Sequence, residues 1–220
     1  MAVTDFSFQN WRVDCETKLP DLALKMASDY NNECPLYFVT RGDDVLGIAT
    51  YADLNRKTCY LYTYTLTLAL EHWIKLSIMK LKPPLKSGNS NRDWVRILSS
   101  RARRERRTLP LRDKIKNRVE ELMYLARTEK ASILTFCYFE ELLRIVKEDE
   151  DFHSVFSKIR GPTYSNANEF RLRVAHPTKL LVPNKSTENE LRQLAQFWKD
   201  TRQFLVEEKI RNEKNRDLTG

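Results

Sequence analysis

With 220 residues, 41% of them hydrophobic and 31% charged, the chain has the composition of a globular protein with a proper core, which excludes a disordered chain. Only 5 Gly argue against a loop-rich all-β protein and favour helices. A formal net charge of +8 points to acidic partners, above all phosphate backbones.

Met1 to Phe6 shows no basic start followed by an apolar run, so no secretory signal is expected. The first elements predicted are a short strand over residues 10–14 and a helix over Leu19 to Ala27. In that helix Leu19, Leu22, Ala23 and Met26 recur at helical spacing, and Pro20 is tolerated in the first turn. Leu36 to Thr40 reads as a strand and Arg41-Gly42-Asp43-Asp44 as a turn. Val45 to Tyr51 reads as the returning strand of a hairpin, and Asp53 opens the next helix.

Pro35-Leu36-Tyr37-Phe38-Val39, the hairpin, and then Gly47-Ile48-Ala49-Thr50-Tyr51-Ala52-Asp53-Leu54 resemble a cystathionine-β-synthase-type (CBS) motif. The resemblance rests on G-x-x-T-x-x-D at Gly47, Thr50 and Asp53. It implies that Thr50 contacts phosphate or ribose and that Asp53 accepts from the ribose hydroxyls of an adenine nucleotide such as AMP or ATP. Helix N-termini draw phosphate, and a carboxylate accepts from two vicinal hydroxyls, so the chemistry is coherent. Read without the family, Asp53 is an N-cap and Gly47 a packing glycine. CBS motifs work in tandem, and only one copy is found here, so the missing half would come from another chain.

Tyr60 to Leu81 is predicted as one long helix, with Leu66, Leu70, Trp73 and Ser77 on one stripe and Leu61, Leu68, Leu76 and Met79 nearby. Its apolar-leaning start, Tyr60 to Leu70, is interrupted by threonines and is too short to span a bilayer. A cytoplasmic protein without a membrane partner is therefore expected. Residues 82–90 break the helix. From Lys86 to Arg118, twelve Lys or Arg stand against three acidic residues. The densest part, residues 92–107, includes Arg101, Arg103, Arg104, Arg106 and Arg107. It is a candidate for sequence-independent RNA contact, or else a solvated surface helix or loop.

Further helices are predicted over residues 114–128, 132–147 and 167–175, and a last long one over 187–209, before a polar tail from Arg211 to Gly220. The four cysteines, at 15, 34, 59 and 137, are scattered, with no C-x-x-C pair and no neighbouring His. No metal site and no disulfide framework is expected, and single buried thiols are. Of the three histidines, His72 lies beside the stripe of the long helix and His153 follows an acidic cluster. His176 stands five residues after Arg171 and directly before Pro177.

His is the side chain suited to proton transfer near neutral pH, and Arg holds phosphate oxygens. Together they suit phosphodiester cleavage that needs no metal. The alternative is a solvated helix end. The order of helices and the stretch Arg171-Leu172-Arg173-Val174-Ala175-His176-Pro177 before the last helix are similar to a HEPN domain (the higher-eukaryote and prokaryote nucleotide-binding family). That family includes metal-independent endoribonucleases of toxin, phage-defence and RNA-processing systems, with the site formed at a homodimer interface. The resemblance implies catalytic Arg171 and His176, no catalytic cofactor and RNA as substrate. Catalytic members have a polar residue after the arginine, where this chain has Leu172. Arg173, three residues from His176 on a helix face, could substitute.

The layout expected is thus α+β. A small CBS-like α/β unit (1–59) precedes an all-helical HEPN-like bundle (60–210) and the tail (211–220). The expected activity is that of a nucleotide-regulated endoribonuclease. The alternative is a non-catalytic adenine-nucleotide sensor or an RNA- or protein-binding regulator.

Overall fold

The computed structural model describes residues 12–30, 36–81, 95, 109–148, 161–176, 179–182 and 188–217, and all structural statements concern these. They are mostly helical, with six α-helices and a small three-stranded sheet near the N-terminus, an α+β layout. They divide into two compact units. One takes the described residues of 1–67 and 161–220, the other those of 68–160.

In the first unit, β1 (Arg12–Asp14) leads through α1 (Leu19–Ser28) to β2 (Leu36–Arg41), which lies parallel to β1 with Val13 opposite Val39. Strand β3 (Asp44–Thr50) returns antiparallel, with Phe38 opposite Ile48, so β2 is the central strand. The hairpin turns at Gly42, whose φ of +57° is a conformation other residues enter only with strain. Helix α1 buries Pro20, Ala23, Met26 and Ala27, three or four residues apart on one face. Tyr37 donates to Asp29 at 3.0 Å and Tyr51 to the Met26 carbonyl at 2.9 Å, tying the hairpin to the end of α1.

A 3₁₀ turn (Tyr51–Asn55) links β3 to α2 (Lys57–Leu81), whose first part belongs to this unit. The chain comes back as α5 (Gly161–Ala175) and α6 (Glu188–Asp217). Helix α6 packs on both α1 and α5 and buries Leu191, Leu194, Ala195, Phe197, Trp198 and Phe204. Phe197 stacks on Phe170 at 5.0 Å between ring centres. The fully buried Trp198 donates its indole N–H to Thr63 at 2.8 Å, and Thr63 donates in turn to the Cys59 carbonyl. That Thr63 hydroxyl is satisfied on both sides, which is why a threonine is tolerated in the core. Helix α6 continues to Asp217, two turns past Lys209, where the apolar periodicity ends.

The second unit holds the rest of α2, α3 (Leu109–Thr128), a 3₁₀ turn (Ile133–Thr135) and α4 (Phe139–Glu148). Two expectations are corrected. The buried stripe of α2 runs through Leu66, Leu70, Ile74 and Ile78, one residue round from the expected Trp73 and Ser77. Leu61, Leu68, Leu76 and Met79 are exposed. The helix expected over 132–147 is broken at Phe136–Tyr138. There Glu141 accepts from the Tyr138 N–H at 2.6 Å, giving α4 its own start. Arg118 reaches the same place, donating to Glu141 at 2.9 Å and to the Phe136 carbonyl at 2.9 Å, with Tyr138 stacked at 3.9 Å. These contacts hold the break that the run of aromatic residues conceals.

Candidate functional site

Strand β3 ends at Thr50 in extended backbone, and the following turn brings Asp53 back under it. The Asp53 Oδ2 accepts from the Thr50 N–H at 2.7 Å and from its hydroxyl at 2.9 Å. Its Oδ1 pairs with the Arg56 Nε at 2.5 Å. Thr50 and Asp53 are therefore brought together, as a reciprocal cap of the turn. Both lone pairs of Oδ2 are thereby engaged and Oδ1 retains one, and the exposed Arg56 sets a positive charge beside them. Gly47 sits on β3 opposite Val39, and a Cβ there would meet nothing within 4 Å. Packing does not require a glycine at this position.

The second candidate group lies at the end of α5. Phe170 is the buried anchor of this turn, Arg171 is half-buried, and Leu172 and His176 are exposed. His176 stands one residue past the last helical residue, Ala175. Its carbonyl accepts from the Lys179 N–H at 2.9 Å. Arg173 is engaged inside the unit, its side chain 15% exposed. It donates to the Leu181 carbonyl at 2.8 Å, pairs with Glu169, lies 3.8 Å from Glu190 and sits 5.7 Å from the Phe170 ring centre. This geometry makes Arg173 an anchor that ties the end of α5 to the segment following His176.

That segment has further partners which sequence reasoning missed. Asn55 donates to the Val182 carbonyl at 2.7 Å and accepts from the Val182 N–H at 2.8 Å. The Tyr60 hydroxyl donates to the Lys179 carbonyl at 2.5 Å and accepts from the Leu181 N–H at 2.9 Å. The only local hint was an asparagine two residues beyond Asp53, and nothing short-range announces contacts across more than a hundred residues.

Arg101, Arg103, Arg104, Arg106, Arg107, His153 and Cys34 lie outside the described residues. His72 is exposed on α2. Cys59 and Cys137 are buried, while Cys15 is only half-buried, against the expectation of a buried thiol. Burial pushes the Cys59 thiol up to about 11, with the charge of Asp53 adding to it. Burial likewise pushes the Cys137 thiol up to about 12, with Glu141 adding. Neither is a nucleophile at neutral pH. Among the described residues no group of three or more His, Cys, Asp or Glu could hold a metal ion, and no helix is long and apolar enough to cross a membrane. Comparison with family models, with curated proteins and with solved structures gives no match for this chain.

Proposed function

We propose that the chain is a nucleotide-regulated, metal-independent endoribonuclease that acts as a homodimer, with a CBS-type nucleotide unit and a HEPN-type site at Arg171 and His176. The observation that supports it most is the placement of His176. The ring is exposed, directly past the end of α5, with Arg171 about one and a half turns earlier. An imidazole free to meet solvent and an arginine close by in the chain are what an RNA phosphodiester needs.

In this reading His176 takes the proton of a ribose 2′-hydroxyl as the 2′-oxygen attacks the adjacent phosphorus. The bond from phosphorus to the 5′-oxygen breaks, and the leaving oxygen takes a proton from the protonated His176 of the second copy. Arg171 holds the non-bridging oxygens as negative charge builds on them. Arg173 keeps the helix end in place. An adenine nucleotide such as AMP or ATP binds with its ribose hydroxyls on Asp53 and a phosphate near Thr50 and Arg56. The order β1-α1-β2-β3-α2 supports that part of the reading. The arginines from Arg101 to Arg107 supply non-specific attraction for the RNA backbone.

The test is cleavage of an RNA oligonucleotide in EDTA by the wild type and by His176→Ala. General acid–base groups contribute about 10²–10⁴-fold in rate, and the variant is expected to lose at least that. Cleavage that persists in His176→Ala, or that requires magnesium, contradicts the mechanism.

One observation favours a second reading, a non-catalytic adenine-nucleotide sensor or RNA- or protein-binding regulator. Leu172 is exposed where catalytic members carry a polar residue. Calorimetric binding of AMP or ATP, lost in Asp53→Ala, without any RNA cleavage would select it.

A further inference from the structure

The two candidate groups are far apart in sequence but are joined by a short series of hydrogen bonds within one compact unit. Asp53 shapes the turn that ends at Asn55. Asn55 holds Val182 through both its backbone groups, and Tyr60, one turn into α2, holds Lys179 and Leu181. From the other side Arg173 holds the Leu181 carbonyl, and Lys179 donates back to the His176 carbonyl. Leu181 and Val182 are themselves buried, so this is a fixed strap and not a solvated loop.

Side chains that bond both the N–H and the C=O of a distant segment specify its position more tightly than one bond would. Each also makes the other's contact less costly in entropy. The local alternative, that Asn55 only caps its own turn, does not describe these bonds: both of its amide atoms go to Val182.

We propose that Asn55 and Tyr60 are positioning residues for His176, so that the geometry of the Thr50–Asp53 turn is transmitted to the Arg171–His176 group through residues 179–182. The inference deepens the proposed function, as it concerns the regulation of the same site. It rests on that reading only for the meaning of the coupling. The coupling itself is a property of the folded chain. A nucleotide that redirected the Asp53 carboxylate would alter the turn carrying Asn55, and with it the strap behind His176.

The test uses the full chain and needs neither RNA nor nucleotide. Amide hydrogen exchange and the imidazole ring resonances are measured in the wild type, Tyr60→Phe, Asn55→Ala and Asp53→Ala. Tyr60→Phe removes one hydroxyl and keeps the ring, so it remains informative where Asn55→Ala unfolds. The Leu181 and Val182 amides are expected to exchange about five- to tenfold faster in Tyr60→Phe and Asn55→Ala, as for the loss of one hydrogen bond.

Asp53→Ala, which touches no residue of the strap in the bonds described, is expected to speed the same amides while the β2–β3 ladder is unchanged. The His176 ring resonances are expected to move in all three variants. Those of His72 are not, and this separates positioning from general loosening. Faster exchange at 179–182 with an unmoved His176 ring overturns the positioning role. An Asp53→Ala effect confined to residues 50–56 overturns the coupling. Absence of RNA cleavage would refute the proposed function without touching either result.

Discussion

Replacing Arg173 with alanine is expected to destabilise the first unit by about 2–5 kcal/mol. The largest share comes from the bond to the Leu181 carbonyl at 2.8 Å, made by a charged and mostly buried donor. Such bonds are worth about 1.5–3 kcal/mol, and removing one leaves the carbonyl of a buried residue without this partner. The pair with Glu169 adds no more than about 1 kcal/mol, because that carboxylate is half-exposed. The guanidinium at 5.7 Å from the Phe170 ring adds about 0.5–1 kcal/mol. Urea unfolding followed by far-UV circular dichroism measures the sum. Arg173→Lys is expected to recover less than half of it, since an ammonium cannot reproduce the planar fork that serves Leu181 and Glu169 together. A loss below about 0.5 kcal/mol in Arg173→Ala would refute the anchoring role. It would return Arg173 to the status of a free cation available to phosphate.

Three further outcomes are expected. Among the described residues the buried Thr201 hydroxyl has no hydrogen-bond partner, so Thr201→Val should leave stability unchanged or raise it by about 1 kcal/mol, and a marked loss would reveal a hidden partner. The folded chain holds the protons of Cys59 and Cys137 while the unfolded chain ionises near pH 9. The stability these thiols contribute is therefore complete below pH 9 and is lost as pH rises toward about 11 and 12. Both should resist iodoacetamide at pH 8, roughly a unit below that range, until the chain is unfolded; rapid labelling of either contradicts their burial. Replacing Arg103, Arg104, Arg106 and Arg107 with Gln should flatten the salt dependence of RNA affinity, whereas an unchanged slope means these arginines do not meet the backbone.

Much of the architecture could be read from local pattern. The strand, helix and hairpin over residues 12–50 follow from helical spacing in Leu19 to Ala27, the apolar run at Leu36 and the turn at Gly42. The α6 face follows from Leu191, Leu194, Trp198 and Thr201. What failed was decided at long range. The break before α4 depends on Arg118, on another helix, reaching Phe136 and Glu141, and the spacing of Phe136 and Phe139 masks it. The stripe of α2 was misplaced by one residue because that helix carries apolar residues nearly all round, so period alone does not choose its buried side. At the candidate sites, the closeness of Thr50 and Asp53 was legible, being a three-residue relation. The commitment of Arg173 to Leu181, and of Asn55 and Tyr60 to residues 179–182, was not, since those partners are set by the tertiary fold.

The most direct test of the account is the chemistry of the cleaved ends. An RNA oligonucleotide and the same sequence carrying a single 2′-deoxyribose at the cleaved position are incubated with the full chain in EDTA, and the products are identified by mass spectrometry. Attack by the 2′-oxygen, with His176 as base, predicts 2′,3′-cyclic phosphate and 5′-hydroxyl ends from the RNA, and no cut at the deoxy position. Cleavage at the deoxy position, or products with 5′-phosphate ends, would contradict it.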